Sequence, residues 1–367
     1  MSHGSHRISS KKHIAVLGSG GWGSVIARII ARNVLHLKRF HPIVKMYVFE
    51  EFIDGRKLTE IINKEHENRK YAPGYKFTKN LVAVSDALDA AKHADIIVFV
   101  VPHQFVDNLC KSLAGRIRPN AIGISLIKGF DIKTGGGIEL ISHIISTKLL
   151  IPCHVLMGAN IAGEVAAEKF VCTSTLGCKY KARGSFLKDL FNTPHLKITV
   201  VADEDTVEVC GALKNIVATG VGFIDGLEEN NRYKEAVLRL GFMEMVQFVD
   251  VFFPGGNIST FFESCGIEDL IVTSFAGRNR KCSAAFVKTG KTFKELENEM
   301  LNGQKLQGPP TAVEVAYMLN SKDMTNKFPL FTVIHQICTG KKPAKALLKC
   351  VDDNIARRVY LPKNLIP

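Results

Sequence analysis

Apolar residues in the first half of the chain come in short β-branched runs separated by longer stretches of helical periodicity. The run over 13–17 passes through a glycine-rich turn into Val25-Ile26-Ala27-Arg28-Ile29-Ile30-Ala31, which predicts strand, tight turn and helix. Further strands are predicted over 44–49, 81–84, 95–101, 121–128 and 153–157, with a last one over 196–201 at the edge of the sheet. Near-continuous apolar strands alternating with helices imply a mostly parallel sheet covered on both faces, the doubly wound α/β class. After Asp203 the texture changes. Residues 208–221, 233–252 and 311–319 read as helices, with start signals at Asp205-Thr206 and Pro309-Pro310-Thr311, and strand signals nearly vanish. The expected organisation is a flexible polar arm over 1–12, an α/β domain over 13–203, an all-helical domain over 204–353 and an extension over 354–367. A cleft between the C-terminal edge of the sheet and the helices is where α/β proteins hold their ligands.

Composition narrows the classes. The chain has 367 residues, 46% of them hydrophobic, enough for sizeable cores in about two domains. No uninterrupted apolar segment reaches the roughly 18–20 residues of a membrane helix. The N-terminal arm, with His3, His6, Arg7, Lys11 and Lys12, lacks the apolar core of a signal peptide. A cytoplasmic protein with no membrane partner is expected. Nine cysteines without a C-x-x-C pair point to reduced thiols, and no Cys/His cluster has metal-ligand spacing, so no metal is expected. The formal charge is +13. Scattered lysines without interleaved aromatics argue against nucleic acid, whereas a basic protein drawing in anionic small molecules explains the same charge.

The turn Gly18-Ser19-Gly20-Gly21-Trp22-Gly23 carries the first chemistry. In strand–turn–helix context Gly18 makes the turn, Gly20 lets the backbone approach a pyrophosphate and Gly23 lets helix and strand pack closely. Glu50 and Glu51, after the second strand, are placed either to bond adenosine ribose hydroxyls or to sit as solvated charges; acid there favours NAD over NADP. Lys128 and Asn160 follow later strands at the cleft edge. Lys128 reads as an anion or carbonyl ligand or as a solvated lysine, and Asn160 as a substrate contact or a helix N-cap. His103 is either an acid–base group or a structural histidine at a loop start.

In the second half, Gly211-Ala212-Leu213-Lys214-Asn215 sets a lysine in a small, apolar helix. Burial would lower its pKa towards that of a proton carrier, unless its stem snorkels out to solvent. Gly277-Arg278-Asn279-Arg280-Lys281 offers a guanidinium fork for phosphate, or else a solvated or nuclear-import patch. Residues 302–309 form a polar, glycine-bearing loop before a helix.

These motifs, G-S-G-G-W-G, V-F-E-E, F-V-V-P-H-Q-F, L-I-K-G, M-G-A-N-I-A, G-A-L-K-N, G-R-N-R-K and L-N-G-Q-K-L-Q-G, occur in this order over about 13–353. The chain so resembles the eukaryotic cytosolic NAD-dependent glycerol-3-phosphate dehydrogenases. The resemblance implies an N-terminal Rossmann-like domain, an all-helical C-terminal domain, a homodimer, and reduction of dihydroxyacetone phosphate by NADH. It further implies Lys214 as proton donor and acceptor, with Lys128, Asn160 and Asp269 around the reacting carbonyl and Asn215 and Thr273 as substrate contacts. Arg278 and Asn279 fall where the family holds the substrate phosphate, Arg278 also beside the cofactor. Gly18, Ser19, Gly20, Gly21, Trp22, Gly23, Phe49, Phe105, Lys128, Ala162, Lys305 and Gln307 match cofactor-contacting positions. Phe49, rather than Glu50, then becomes the adenosine contact. Gly21 departs from the asparagine often found in that turn, and the extension lies past the resemblance. The same architecture also serves β-hydroxyacid dehydrogenases, and a catalytically silent NAD(H)-sensing protein is the rival from a different class.

Overall fold

The computed structural model describes residues 11–133, 137–301, 303–358 and 360, so most of the N-terminal arm, the last seven residues and Asn302 lie outside it. One sheet of eight strands dominates the first half: β1 (Lys12–Leu17), β2 (Phe40–Tyr47), β3 (Leu81–Val84), β4 (Ile96–Phe99), β5 (Ile122–Ser125), β6 (Cys153–Met157), β7 (Cys172–Gly177) and β8 (Leu196–Val201). Their spatial order is β3-β2-β1-β4-β5-β6-β7-β8, with every pairing parallel except β6 with β7. The first six strands therefore have the dinucleotide-binding order, whose crevice opens where the order reverses between β1 and β4.

Alternation along the central strands explains the double cover. Ile14, Val16, Ile96 and Val98 join the apolar cluster on one face, while Ala15, Leu17, Ile97 and Phe99 join that on the other. Both sets are buried, so the strands read as continuous apolar runs. The edge strand β8 instead alternates buried and exposed at its start. Strand β7, Cys-Thr-Ser-Thr-Leu-Gly, was not expected, because its buried Ser174 and Thr175 look like loop residues. Strand β2 begins at Phe40, four residues before the start of the strand expected over 44–49, and takes in Pro42.

Beyond Val201 the described residues contain helices and turns and no strand. The central helix, Glu204–Gly226, is capped by Asp203, which accepts the Thr206 N–H at 3.2 Å; the expected cap at Asp205-Thr206 lies inside the first turn. This 23-residue helix has the length and composition of a membrane span, but its apolar window is wholly buried. A helix apolar on all sides belongs at the centre of a core, and here Asn231–Phe252, Asp269–Ala276, Arg278–Thr289 and Gly308–Ser321 pack around it. The hairpin Phe130–Ile132/Ile138–Leu140, from the α/β half, gives Phe130, Ile138 and Leu140 to that same core. The described part of the C-terminal extension straps Asn231–Phe252. Arg239 donates to the carbonyls of Ile355 and Arg357, and Arg357 donates to Gln247 Oε1 at 2.9 Å. All nine cysteines are free thiols.

Candidate active site

Strand β1 delivers the chain to a turn in which three glycines meet different surroundings. Gly18 has φ +126°, and a Cβ on it would lie 2.8 Å from the Val100 carbonyl. A Cβ on Gly23 would lie 2.3 Å from Gly18 O, whereas one on Gly20 would meet nothing within 4 Å. Gly18 and Gly23 thus close the strand against the helix, and Gly20 leaves an open face. The following helix, Gly21–Val34, has Gly20 as an N-cap without a side-chain bond and no acid in its first turn. Its leading N–H groups lack intrahelical acceptors, which suits this end to serve as a phosphate cradle. Ala162 lies beside it, 3.9 Å from where a Gly21 Cβ would be, and Trp22 packs half-buried on the sheet core. Phe49 and Phe105, 71% and 59% exposed, follow β2 and β4, the two neighbours of β1. Large aromatics left in water on either side of a phosphate cradle fit the two ring systems of a dinucleotide.

Sequence reasoning missed Asn68, which fixes this turn. The wholly buried side chain donates to Ser19 O at 2.8 Å and Ser24 Oγ at 3.0 Å, and accepts from the N–H groups of Lys70 and Tyr71. No periodic or motif signal marks it. The acidic pair after β2 is committed elsewhere. Glu50 accepts from Thr59 N at 3.1 Å and from its hydroxyl, capping the helix Leu58–Glu65, while Glu51 bonds Lys70 and Tyr71. The carboxylates lie near the crevice but are not free ribose ligands.

The central helix packs against β6 and β7. At Gly211 a Cβ would be 2.9 Å from Met157 Sδ, so the absence of a side chain there lets the helix lie close on β6. One turn on, Lys214 points its ammonium, 6% exposed, at Asp269 and Thr273 of the facing helix. Lys128, from the end of β5, reaches the second oxygen of the same carboxylate at 2.7 Å and Gly158 O at 3.3 Å. Two ammonium groups therefore share one buried carboxylate. Burial pushes Lys214 down to about 7 and the neighbouring Lys128 adds to this, against the pull of Asp269. Asp269 leaves a π-helical turn, Ser264–Glu268, anchored where Ser264 Oγ meets Ala159 N and Thr173 O. Asn160 is not an N-cap: it donates to Thr173 O at 2.7 Å and accepts from Ser174, tying the β6 end to β7.

A second polar chain lies next to Lys214. Asn215 accepts from Asn279 at 2.9 Å, and Asn279 accepts from the Gly308 N–H at 2.9 Å. Arg278 opens the helix Arg278–Thr289, which has neither a side-chain cap nor an acid in its first turn. Its guanidinium donates to Gln304 Oε1 at 2.7 Å. A cation beside uncapped N–H groups has the chemistry to hold an anion. Arg280, by contrast, is paired with Asp225, so the basic run is not one solvated patch. Lys305 is paired with Glu297 at 2.8 Å, and Gln307 bonds the ring of His103 at 3.0 Å.

Away from this cleft, three elements bring together His154, Cys178 and Glu204, which sequence spacing could not show. Glu204 sits on His154 Nδ1 at 2.7 Å, and Cys178 and the Arg183 guanidinium flank Nε2 at 3.8 and 3.4 Å. A guanidinium at the open ring nitrogen stands where a cation would bind.

Family models place the wider relationship. The NAD-dependent glycerol-3-phosphate dehydrogenase N-terminus model matches residues 13–183, and the C-terminus model of the same enzyme matches 203–349. Cytoplasmic glycerol-3-phosphate dehydrogenase [NAD(+)] of Drosophila ezoana is 60% identical over 94% of this chain and 98% of its own length. The mouse protein of the same name is 54% identical over 94% and 98%. Among solved structures, glycerol-3-phosphate dehydrogenase of Saccharomyces cerevisiae superposes with a TM-score of 0.84 at 40% identity, covering 93% of this chain and 99% of that one. That of Plasmodium falciparum gives 0.88 at 40% identity, over 96% and 97%. With both halves matched and the cleft between them built as described, the chain belongs to the NAD-dependent glycerol-3-phosphate dehydrogenase family.

Proposed function

We propose that Lys214 is the general acid–base in the reversible reduction of dihydroxyacetone phosphate to sn-glycerol 3-phosphate, the NAD-dependent reaction of this family. The observation that carries the assignment is the buried Lys214 ammonium, lowered to about 7 and set against Asp269 at the cleft edge of the sheet. A proton carrier works best with its pKa near the working pH. Lys214 gives its proton to the nascent alkoxide in reduction and takes it back in oxidation. Lys128 orients the carbonyl and keeps Asp269 from claiming the Lys214 proton alone. Asn160, Asn215 and Thr273 line the same space, and Arg278 and Asn279, at an uncapped helix start, hold the phosphate. The substrate's phosphate thereby fixes the position of its keto carbon.

The cofactor is NAD, which supplies a hydride from its reduced nicotinamide when bound. The turn from Gly18 to Gly23 holds its phosphates, Phe49 and Phe105 its rings, and Ala162, Lys305 and Gln307 line its path. Lys305 would have to leave Glu297 to do so. The chain is cytoplasmic, like the relatives so named, and acts as a homodimer. Ile271 and Phe275, one helical turn apart, together with Phe262, are large exposed apolar side chains that a second copy would cover. Sedimentation equilibrium tests the dimer. NADH oxidation with dihydroxyacetone phosphate, run beside NADPH and a β-hydroxyacid, tests the reaction. NADH binding without turnover would leave the sensing protein standing.

A further inference from the structure

His103 opens the short 3-10 turn after β4, and its ring is buried between the two halves of the molecule. Gly129 packs onto it so closely that a Cβ there would be 2.9 Å from Nδ1. Both ring nitrogens meet oxygen: Nδ1 lies 3.0 Å from Gln307 Oε1 and Nε2 lies 3.2 Å from Glu314 Oε1. Glu314 also accepts the Phe130 N–H at 3.3 Å with its other oxygen. A neutral imidazole has one N–H and one lone pair, so it satisfies only one of two facing oxygens; an imidazolium donates to both.

We infer that His103 is a positioning residue that fixes the polarity of the Gln307 amide, so that Gln307 presents its NH2 group, a donor, to the cofactor. The inference rests on the cofactor contact proposed above for Gln307. With His103 protonated, Oε1 is turned to the ring and Nε2 is the outward end. When the ring loses its proton, the remaining N–H stays with the Glu314 carboxylate and Nδ1 becomes an acceptor. The amide then turns over to donate inward, and an oxygen faces the cofactor in place of a donor. The charged groups acting on the ring are Glu314, from Gly308–Ser321, and Asp131, from the hairpin. Burial by itself would lower the pKa of His103, but these carboxylates and Gln307 outweigh it and hold the group above its ordinary value. The donor-outward arrangement is therefore fully present below the ordinary imidazole range and is lost as pH rises through the raised pKa.

The test is the affinity for NADH, read from its fluorescence between pH 6 and 9.5, with kcat measured at saturating NADH. The native enzyme should lose roughly tenfold in affinity on the alkaline side, the worth of one hydrogen bond exchanged for a repulsive pair. His103→Gln, which donates without titrating, should remove that alkaline limb while kcat changes less than about threefold. Glu314→Gln should shift the limb to lower pH, because the ring loses its carboxylate. The same limb in native and His103→Gln enzyme, or a kcat effect without an affinity effect, overturns the inference. Gln307→Ala separates the two readings. If it weakens NADH and His103→Gln does not alter the pH dependence, only the His103 inference fails; if Gln307→Ala leaves NADH binding intact, the proposed Gln307 contact fails and takes the inference with it.

Discussion

Asp269→Asn keeps the shape of the carboxylate that Lys214 and Lys128 share and removes its charge. In the native site one oxygen takes Lys214 and Thr273, and the other takes Lys128 at 2.7 Å. The side chain is only 2% exposed, so solvent does little to screen the loss. Removing one partner of a buried ion pair costs about 3–5 kcal/mol. Lys214 can escape that cost by releasing its proton, and about 3 kcal/mol corresponds to roughly two pH units in the acidity of an ammonium. The group starts from about 7 in the native protein. At pH 7 about half of native Lys214 carries a proton, against about one in a hundred in the variant. Ketone reduction needs the protonated form, so kcat/KM for dihydroxyacetone phosphate should fall on the order of 50-fold at pH 7 and only about twofold at pH 5. Oxidation of glycerol 3-phosphate needs the neutral amine, so its acid limb should also move to lower pH but with the opposite effect on rate, the variant holding its rate at pH 6 where the native base is mostly protonated. Initial rates in both directions from pH 5 to 9, on protein whose circular dichroism is native, measure this. A loss equal at every pH, or native reduction at pH 7, would refute the shared-carboxylate reasoning.

Other substitutions probe single groups. Lys214→Met should lower kcat by about 10²–10⁴-fold, the usual worth of a general acid, with NADH affinity nearly unchanged in a fluorescence titration. Arg278→Ala should act mainly on the KM for dihydroxyacetone phosphate, and an unchanged KM would end its anchoring role. Gly23→Ala puts a Cβ 2.3 Å from Gly18 O, backbone against backbone. It should cost about 1–3 kcal/mol in thermal unfolding and weaken NADH by more than about tenfold. Glu50→Gln should leave the KM for NADH within about twofold, because its carboxylate caps Thr59; a large rise would restore the ribose role.

What was legible in the sequence followed from periodicity. Strands such as Ile96–Phe99 are buried on both faces and must be apolar throughout, and the 23-residue central helix is apolar all round, so both announce themselves. Strand β7 did not, because its hydroxyls find partners outside the strand: buried Thr175 takes the Cys265 N–H, half-buried Thr173 donates to Ser264, and buried Ser174 donates to Asn160. A single-residue pattern carries no record of such bonds.

The same limit divides the site. Glycines forced by backbone contact, and a lysine inside an apolar helix, violate local rules and so mark themselves. Asn68 and the His103 bridge violate none, since an asparagine in a turn and a histidine at a loop start are ordinary locally. Their importance lies in which distant atoms they satisfy: Ser19 O for one, Gln307 and Glu314 for the other. Glu50 errs in the opposite direction. Its place after β2 is that of a ribose ligand, yet Thr59, nine residues on, claims the carboxylate. The exposed Phe49 beside it is then the adenosine contact proposed for this end of the crevice. Exposure alone does not single it out, since Phe52 is 68% exposed and Phe170 65%; its place just after β2, the neighbour of the strand that leads into the glycine turn, does.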